Sequence, residues 1–245
     1  MLNDIKTVMW KERKGLLRTG GSRKKALLVL LAPILLCGIV LPIQLRGTWL
    51  SSAWSLGIAF IVPLMLLTST IAESFAGERE RHTLETLLAS RLPDRAILLG
   101  KLLLSMGFGW GMTLLLLVIS LVVVNVFEWS GRLQLFAPAI LWADITLSLL
   151  TSGLVASLGI LVSLRSRTVQ SAGQTIMSLL FVPALLLQAV VFLLPTFLPV
   201  EKIKAALGTL DLNDILLAFL AILLILDLAL FSGATARFQR SKLLL

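Results

Sequence analysis

The sequence predicts an all-α integral membrane protein with six transmembrane helices. Hydrophobic residues make up 58% of the 245 residues and charged residues only 14%, whereas a soluble domain carries roughly 25% charged residues. The mean hydropathy is +0.98, and the charges cluster between apolar runs of membrane-spanning length. Such a chain has too few polar residues to cover a water-exposed surface. The composition therefore excludes a soluble enzyme or a soluble binding domain.

Six apolar runs approach or exceed the ~20 residues that cross ~30 Å of hydrocarbon. They are Ala26–Ile43, Ala53–Ala72, Ile97–Val126, Ala137–Leu164, Ala172–Leu194 and Ile215–Ala236. No internal repeat or linker divides the chain. We therefore expect one membrane domain over residues 1–245, with a six-span core at 26–236 and a tail at 237–245.

The distribution of basic residues predicts the orientation of the spans. Eighteen of the 22 lysines and arginines lie on one side of the predicted membrane, and four lie on the other: Arg46, Arg132, Lys202 and Lys204. Short loops rich in lysine and arginine stay in the cytoplasm, so we predict that both termini are cytoplasmic. The net charge of +9 then favours anionic lipid headgroups, and not nucleic acid, as the partner of these bases.

Residues 1–25 have the pattern of an amphipathic helix that lies in the membrane interface. One face carries Leu2, Ile5, Val8, Met9 and Leu16, and the other carries Lys11, Lys14 and Arg18. Trp10 suits the headgroup level. Glu12 falls within the apolar face and needs a basic partner there, for which we predict Arg79 or Arg81. The alternative is a basic flank that only sets topology.

The second predicted connection, Glu73–Lys101, is densely charged yet contains a short helix of its own. Thr83 is placed to cap that helix, Glu85 lies in its first turn, and Leu84, Leu87 and Leu88 form an apolar stripe. A polar loop has no lipid to cover such a stripe, so it docks either on another protein or on the ends of the spans. Beyond it, we expect Asp94 to cap the third span and Lys101 to snorkel to the interface.

This connection resembles the signature of the type-2 ABC exporter permeases. The matching residues are Glu73, Gly77, Glu78, Arg79, Glu80, Thr83, Leu84, Glu85, Leu87, Leu88, Gly100 and Lys101. The amphipathic first helix with its Lys11-Glu12 pair and the six spans also resemble the layout of that family. Two departures occur, because His82 stands where the family commonly has glycine and Pro93 lies later than usual.

The resemblance implies the permease subunit of an ATP-driven exporter in a prokaryotic plasma (inner) membrane. Residues 1–25 would be the connecting helix, with Trp10, Lys11 and Glu12, and Glu78–Ala89 would hold the coupling helix that meets the ATPase. The implied coupling residues are Glu78, Arg79, Glu80, Arg81, Thr83, Leu84, Glu85, Leu87 and Leu88. The implied partners are membrane lipids, a second permease, same or similar, and ATPase subunits that bind ATP and magnesium. We expect Glu78–Ala89 to transmit motion and to contribute little to folding.

No nucleotide-binding or catalytic motif occurs in the chain itself. It lacks the G-x-x-x-x-G-K-[ST] sequence that cradles nucleotide phosphates, and its single histidine and single cysteine form no metal or catalytic set. We therefore expect no enzymatic activity, no cofactor and no metal in this chain. An intramembrane enzyme would need paired catalytic groups that are missing here. The remaining alternative is an ATPase-independent channel or secondary transporter, against which the charged second connection argues.

Asp144 and Asp227 are the two carboxylates within the predicted spans. A charge at the bilayer centre costs at least ~2.5 kcal/mol, so each is a candidate for contact with substrate or ion along a pathway. The alternatives are that Asp144 reaches the interface and that Asp227 pairs with polar groups on a neighbouring helix. The nature of the substrate does not follow from these residues.

Overall fold

The computed structural model describes residues 1–16, 31–52, 54–129, 131–197 and 212–237. Within these ranges the chain folds into helices, and no strand is formed there. In chain order the helices are α1 (Leu2–Leu16), α2 (Leu31–Leu45), α3 (Gly47–Ser51), α4 (Trp54–Glu80), α5 (Leu84–Leu88), α6 (Asp94–Phe127), α7 (Pro138–Arg165), α8 (Val169–Phe197) and α9 (Leu212–Arg237). The predicted all-α class is confirmed.

Four helices in the described ranges are long and apolar enough to cross a membrane, namely α4, α6, α7 and the Asp214–Ala236 part of α9. They correspond to the second, third, fourth and sixth predicted spans. The first predicted span is represented by the shorter apolar helix α2, and its predicted start falls outside the described residues. The fifth predicted span lies within α8. The total of six spans remains a prediction.

Helix α4 is central in the bundle and packs against α6, α7 and α8. In its most apolar stretch 61% of the residues are buried, against 6% for α9, so α9 lies at the periphery with an apolar surface suited to lipid. The close approach of α4 to α7 depends on Gly159, because a Cβ atom there would lie 2.3 Å from Ile71 Cγ2. Small residues of this kind allow membrane helices to pack closely.

The end of α4 contains a change of helix type. An α-helical segment over Trp54–Ala72 is followed by a π-helical segment over Glu73–Gly77 and by a last α-helical turn over Glu78–Glu80. The second span was predicted to end at Ala72, but the helix continues to Glu80 and the connection to α6 is correspondingly shorter. A π turn holds one more residue per turn than an α turn and is often found at functional sites.

Candidate functional site

Three charged residues from three helices meet where α1 lies against the bundle. Lys101 of α6 is only 1% exposed, and its Nζ donates hydrogen bonds to Glu12 Oε1 at 2.9 Å and to the Ser74 carbonyl oxygen at 2.6 Å. The same Nζ lies 3.3 Å from Glu78 Oε1 and 4.8 Å from the centre of the Phe75 ring. We call Glu12, Glu78 and Lys101 the charge cluster. Lys101 does not snorkel outwards, and that prediction is wrong.

The charge cluster balances its charges through a fourth residue. Lys11 Nζ lies 2.8 Å from Glu78 Oε1 and 4.0 Å from Glu12 Oε1, so two ammonium groups face two carboxylates. Such balance is needed because an unpaired buried charge is strongly destabilising. The expectation that Glu12 has a basic partner is confirmed, whereas the choice of Arg79 or Arg81 is wrong.

Two residues of the predicted apolar face of α1 pack on α6. Ile5 and Val8 are buried, and the contact requires Gly100 of α6, because a Cβ atom there would lie 2.7 Å from Val8 Cβ and Cγ1. Leu2 and Trp10 are exposed on the rest of α1. Lys14 Nζ stacks 3.6 Å from the centre of the Trp10 ring, a distance at which a cation and an aromatic face attract each other.

Arg79 and Glu80 bind the short connection between α7 and α8 from its two sides. Arg79 donates hydrogen bonds to the carbonyl oxygen of Leu164 at 2.8 Å and to that of Ser166. Glu80 Oε1 accepts one from the backbone N–H of Val169 at 3.0 Å. A cation therefore meets the C-terminal end of α7 and a carboxylate meets the N-terminal end of α8, which complements both helix dipoles. Arg81 faces Glu73 at 3.6 Å and is otherwise exposed.

The leucine stripe of α5 faces the spans of its own chain. Leu84 and Leu87 are 7% and 8% exposed and belong to a core cluster with Ile71, Phe75 and Leu98. The prediction that the stripe is a docking surface with an apolar centre is therefore wrong for these two leucines. The side chain of Leu88 lies outside the described part of the chain. The exposed surface of this segment, here the α5 face, consists of Arg81, His82, Thr83, Glu85, Thr86 and Ala89.

The turn before α5 explains one departure from the family signature. His82 has a φ of 55°, a left-handed conformation that favours glycine and that histidine adopts more readily than most residues. Thr83 is the N-cap residue of α5, but its hydroxyl donates to the Glu78 carbonyl oxygen at 3.2 Å. At the start of α6 the N-cap residue is Pro93, and Asp94 lies in the first turn.

The two intramembrane aspartates are not brought into one site. Asp144 of α7 is fully buried beside Ser55 of α4, and the alternative that it reaches the interface stays a prediction. Asp227 of α9 packs on Gly153 of α7, where a Cβ atom would lie 2.7 Å from its Oδ2. Asp144 and Gly153 are nine residues apart on α7, or about 13 Å. Among the described residues, no three histidine, cysteine, aspartate or glutamate side chains form a metal-binding group.

Sequence reasoning missed the role of two residues at this site. Lys101 matched the family signature but was assigned to the interface, although it lies seven residues into α6 among apolar neighbours, at a depth where an ammonium group needs partners. Ser163 of α7, which is fully buried and contacts the π-helical segment of α4, was not singled out. A serine in an apolar helix gives no sequence signal that separates it from a packing residue.

The fold and the charge cluster define a multi-pass membrane protein whose first helix is bound by ion pairs to two apolar helices, α4 and α6. A family model described as ABC-2 type transporter matches residues 3–206, most of the chain. The chain therefore belongs to the ABC-2 type transporter family, as the resemblance indicated, and is an ABC transporter permease, a membrane component that is not itself catalytic. Comparison with curated proteins and with solved structures gave no match.

Proposed function

We propose that this permease is the membrane subunit of an ATP-driven exporter, in which a separate ATPase subunit binds ATP and magnesium and drives substrate movement. The observation that carries the proposal is the anchoring of residues 78–89 to most of the bundle. Glu78 binds Lys101 of α6 and Lys11 of α1, while Arg79 and Glu80 bind the α7–α8 connection. A force applied to this segment would reach α1, α4, α6, α7 and α8 together.

The α5 face is the proposed contact surface for the ATPase. Because Leu84 and Leu87 point inwards, the outward side chains are polar, with Glu85 and Thr86 on α5 and Arg81 before it. Complementary charges on such a surface mainly set specificity and association rate. This assignment places the α1 end of the bundle in the cytoplasm, in agreement with the eighteen bases on that side of the predicted membrane.

A groove between α4 and α8 is the proposed wall of the transport pathway. Its volume is about 650 Å³, and it is lined by Met65, Thr68, Ser69, Gly173, Gln174, Met177 and Ser178. Gln174 is exposed, and hydrocarbon offers its side-chain amide no hydrogen-bonding partner. We propose that a second permease, identical or similar, closes this groove. Asp144 and Asp227 line other parts of the bundle and remain candidates for contact with substrate or ion.

Isolation of the complete transporter tests this function. The tagged chain is purified in lipid nanodiscs with ATP and magnesium, ATP hydrolysis is assayed, and native mass spectrometry counts the subunits. We expect hydrolysis to accompany the chain in a particle with two permeases and two ATPase subunits. Because this chain has no phosphate-binding motif, the activity must come from the partner. A single permease in the active particle, or transport by the chain alone, would contradict the proposal.

Reversal of one charge on the α5 face tests the contact surface. We expect Glu85→Lys to weaken association with the ATPase by at least about tenfold, because like charges placed together across an interface cost free energy. The melting temperature of the permease should change little, since Glu85 is exposed. The matched control is Asp214→Lys, the same kind of charge reversal at an exposed position of α9. Unchanged association for Glu85→Lys would reject the α5 face as the contact.

A further inference from the structure

The hydroxyl of Ser163 is inserted into the hydrogen-bond ladder of another helix. Ser163 Oγ donates to the Ala72 carbonyl oxygen at 3.0 Å and accepts hydrogen bonds from the backbone N–H groups of Ala76 at 2.9 Å and Phe75 at 3.1 Å. Ala72 and Ala76 are four residues apart, the spacing of an α-helical hydrogen bond. The hydroxyl of α7 therefore bridges the two groups that would bond to each other if α4 were α-helical at this point.

All the hydrogen-bonding capacity of the Ser163 hydroxyl is used on α4. A hydroxyl has one donor and two acceptor positions, and all three are filled here. Three other fully buried hydroxyls of α7, those of Ser148, Thr151 and Ser152, donate to carbonyl oxygens of α7 itself. Ser163 differs from them because it satisfies the backbone of a neighbouring helix. Ser163 can therefore position the backbone of α4, whereas Ser148, Thr151 and Ser152 only satisfy the backbone of their own helix.

A second side chain supports the same π-helical segment. The backbone N–H of Glu78 bonds the Phe75 carbonyl oxygen, and the Ser74 carbonyl oxygen accepts a hydrogen bond from Lys101 Nζ at 2.6 Å. In an α-helix, the Ser74 carbonyl would instead receive the N–H of Glu78. Side chains from α6 and α7 thus supply the hydrogen bonds that the π turn lacks.

We propose that Ser163 is a positioning residue that holds the Glu73–Gly77 turn open and so sets the orientation of the α5 face. If α4 and α7 separate by more than hydrogen-bonding distance, the turn closes into an α-helix. The change corresponds to one residue of helix, about 100° of rotation and about 1.5 Å of rise, for the last turn of α4 at residues 78–80 and for the α5 face attached to it. The inference deepens the proposed function, because the part that turns is the surface assigned to the ATPase.

Distances between two spin labels test the proposal on the permease alone. The native Cys37 is replaced by serine, and labels are placed at Thr86→Cys on the α5 face and Thr175→Cys on α8, both exposed positions. In Ser163→Ala we expect a second distance population, displaced by several ångströms, because the closed turn carries the α5 face to a new orientation. Ser152→Ala is the matched control and should leave the label distance unchanged, because the Ser152 hydroxyl donates only to its own helix.

A compensating deletion keeps the test decisive if Ser163→Ala is unstable. Removal of Ala76 from Ser163→Ala leaves α4 one residue shorter, so that a continuous α-helix ends in the native orientation. We expect this double change to restore the original label distance. If Ser163 only contributed to stability, Ser163→Ala would lower the melting temperature and leave the label distance unaltered. That result would overturn the proposal. The label distances are measured on the permease alone. If the permease binds no ATPase in the separate association assays, that result would contradict the proposed function but not the role of Ser163.

Discussion

Replacement of Lys101 by methionine is expected to lower the free energy of unfolding by about 3–5 kcal/mol. The substitution keeps most of the side-chain volume but removes the ammonium group from between Glu12 and Glu78. Both carboxylates then lie close together, partly buried, with only the exposed Lys11 to balance them. The Ser74 carbonyl oxygen loses its hydrogen bond as well. Removal of one partner from a buried ionic group is among the most costly single substitutions.

Unfolding of the purified permease in lipid measures this effect. Arg95→Met is the matched control, because Arg95 is a basic residue of the same helix but is exposed, and its loss should change stability by no more than about 0.5 kcal/mol. Equal stability of Lys101→Met and the native chain would mean that the charge cluster does not hold the fold together.

The charge cluster also determines which pairs of substitutions interact. Glu12→Gln in the Lys101→Met background should cost less than Glu12→Gln alone, since the carboxylate has already lost its nearest cation. Glu12→Gln and Arg79→Gln should be additive within about 0.5 kcal/mol, because Arg79 is engaged at the end of α7.

The sequence was sufficient for the elements that depend on local composition. The positions of four apolar helices, the amphipathic pattern of α1 and the charged segment before α6 follow from residue order, and the misfit of Glu12 correctly required a cation. Composition could not identify that cation, because Lys101 lies on another helix and reaches Glu12 only through the packing of α1 on α6. The depth of Lys101 and the packing of α1 on Gly100 are set by how α1, α4 and α6 meet, which is a tertiary property.

The π-helical segment shows the same limit more clearly. Glu73–Gly77 has no residue that forbids an α-helix, and its hydrogen bonds are completed by Ser163 and Lys101, which lie far away in the sequence. A local pattern cannot predict a turn whose stability is supplied by other helices. Likewise, the leucines of α5 are placed by the surface available below them, and the sequence left open whether that surface belongs to this chain or to a partner.

Leu84→Ala is expected to lower the free energy of unfolding of the isolated permease by about 2–5 kcal/mol. The side chain is buried among residues of several helices, and its truncation removes apolar contacts and leaves a cavity. The expectation that Glu78–Ala89 contributes little to folding conflicts with this burial. The same cost should follow from Leu87→Ala, which occupies the same core cluster.

Comparison with Thr86→Ala separates folding from docking, because Thr86 lies on the same short helix but is exposed. We expect Thr86→Ala to keep the native melting temperature and Leu84→Ala to lower it by several degrees in the isolated permease. The reason is that the buried leucine packs the α5 face onto the bundle, whereas the exposed side chains of that face contribute little to folding stability. A segment that is to pass force from an ATPase to the spans must be attached at least as firmly to the spans as to the ATPase. Normal melting of Leu84→Ala with lost ATPase association would show that the leucine stripe is itself the docking surface, and the arrangement of α5 described above would then be wrong.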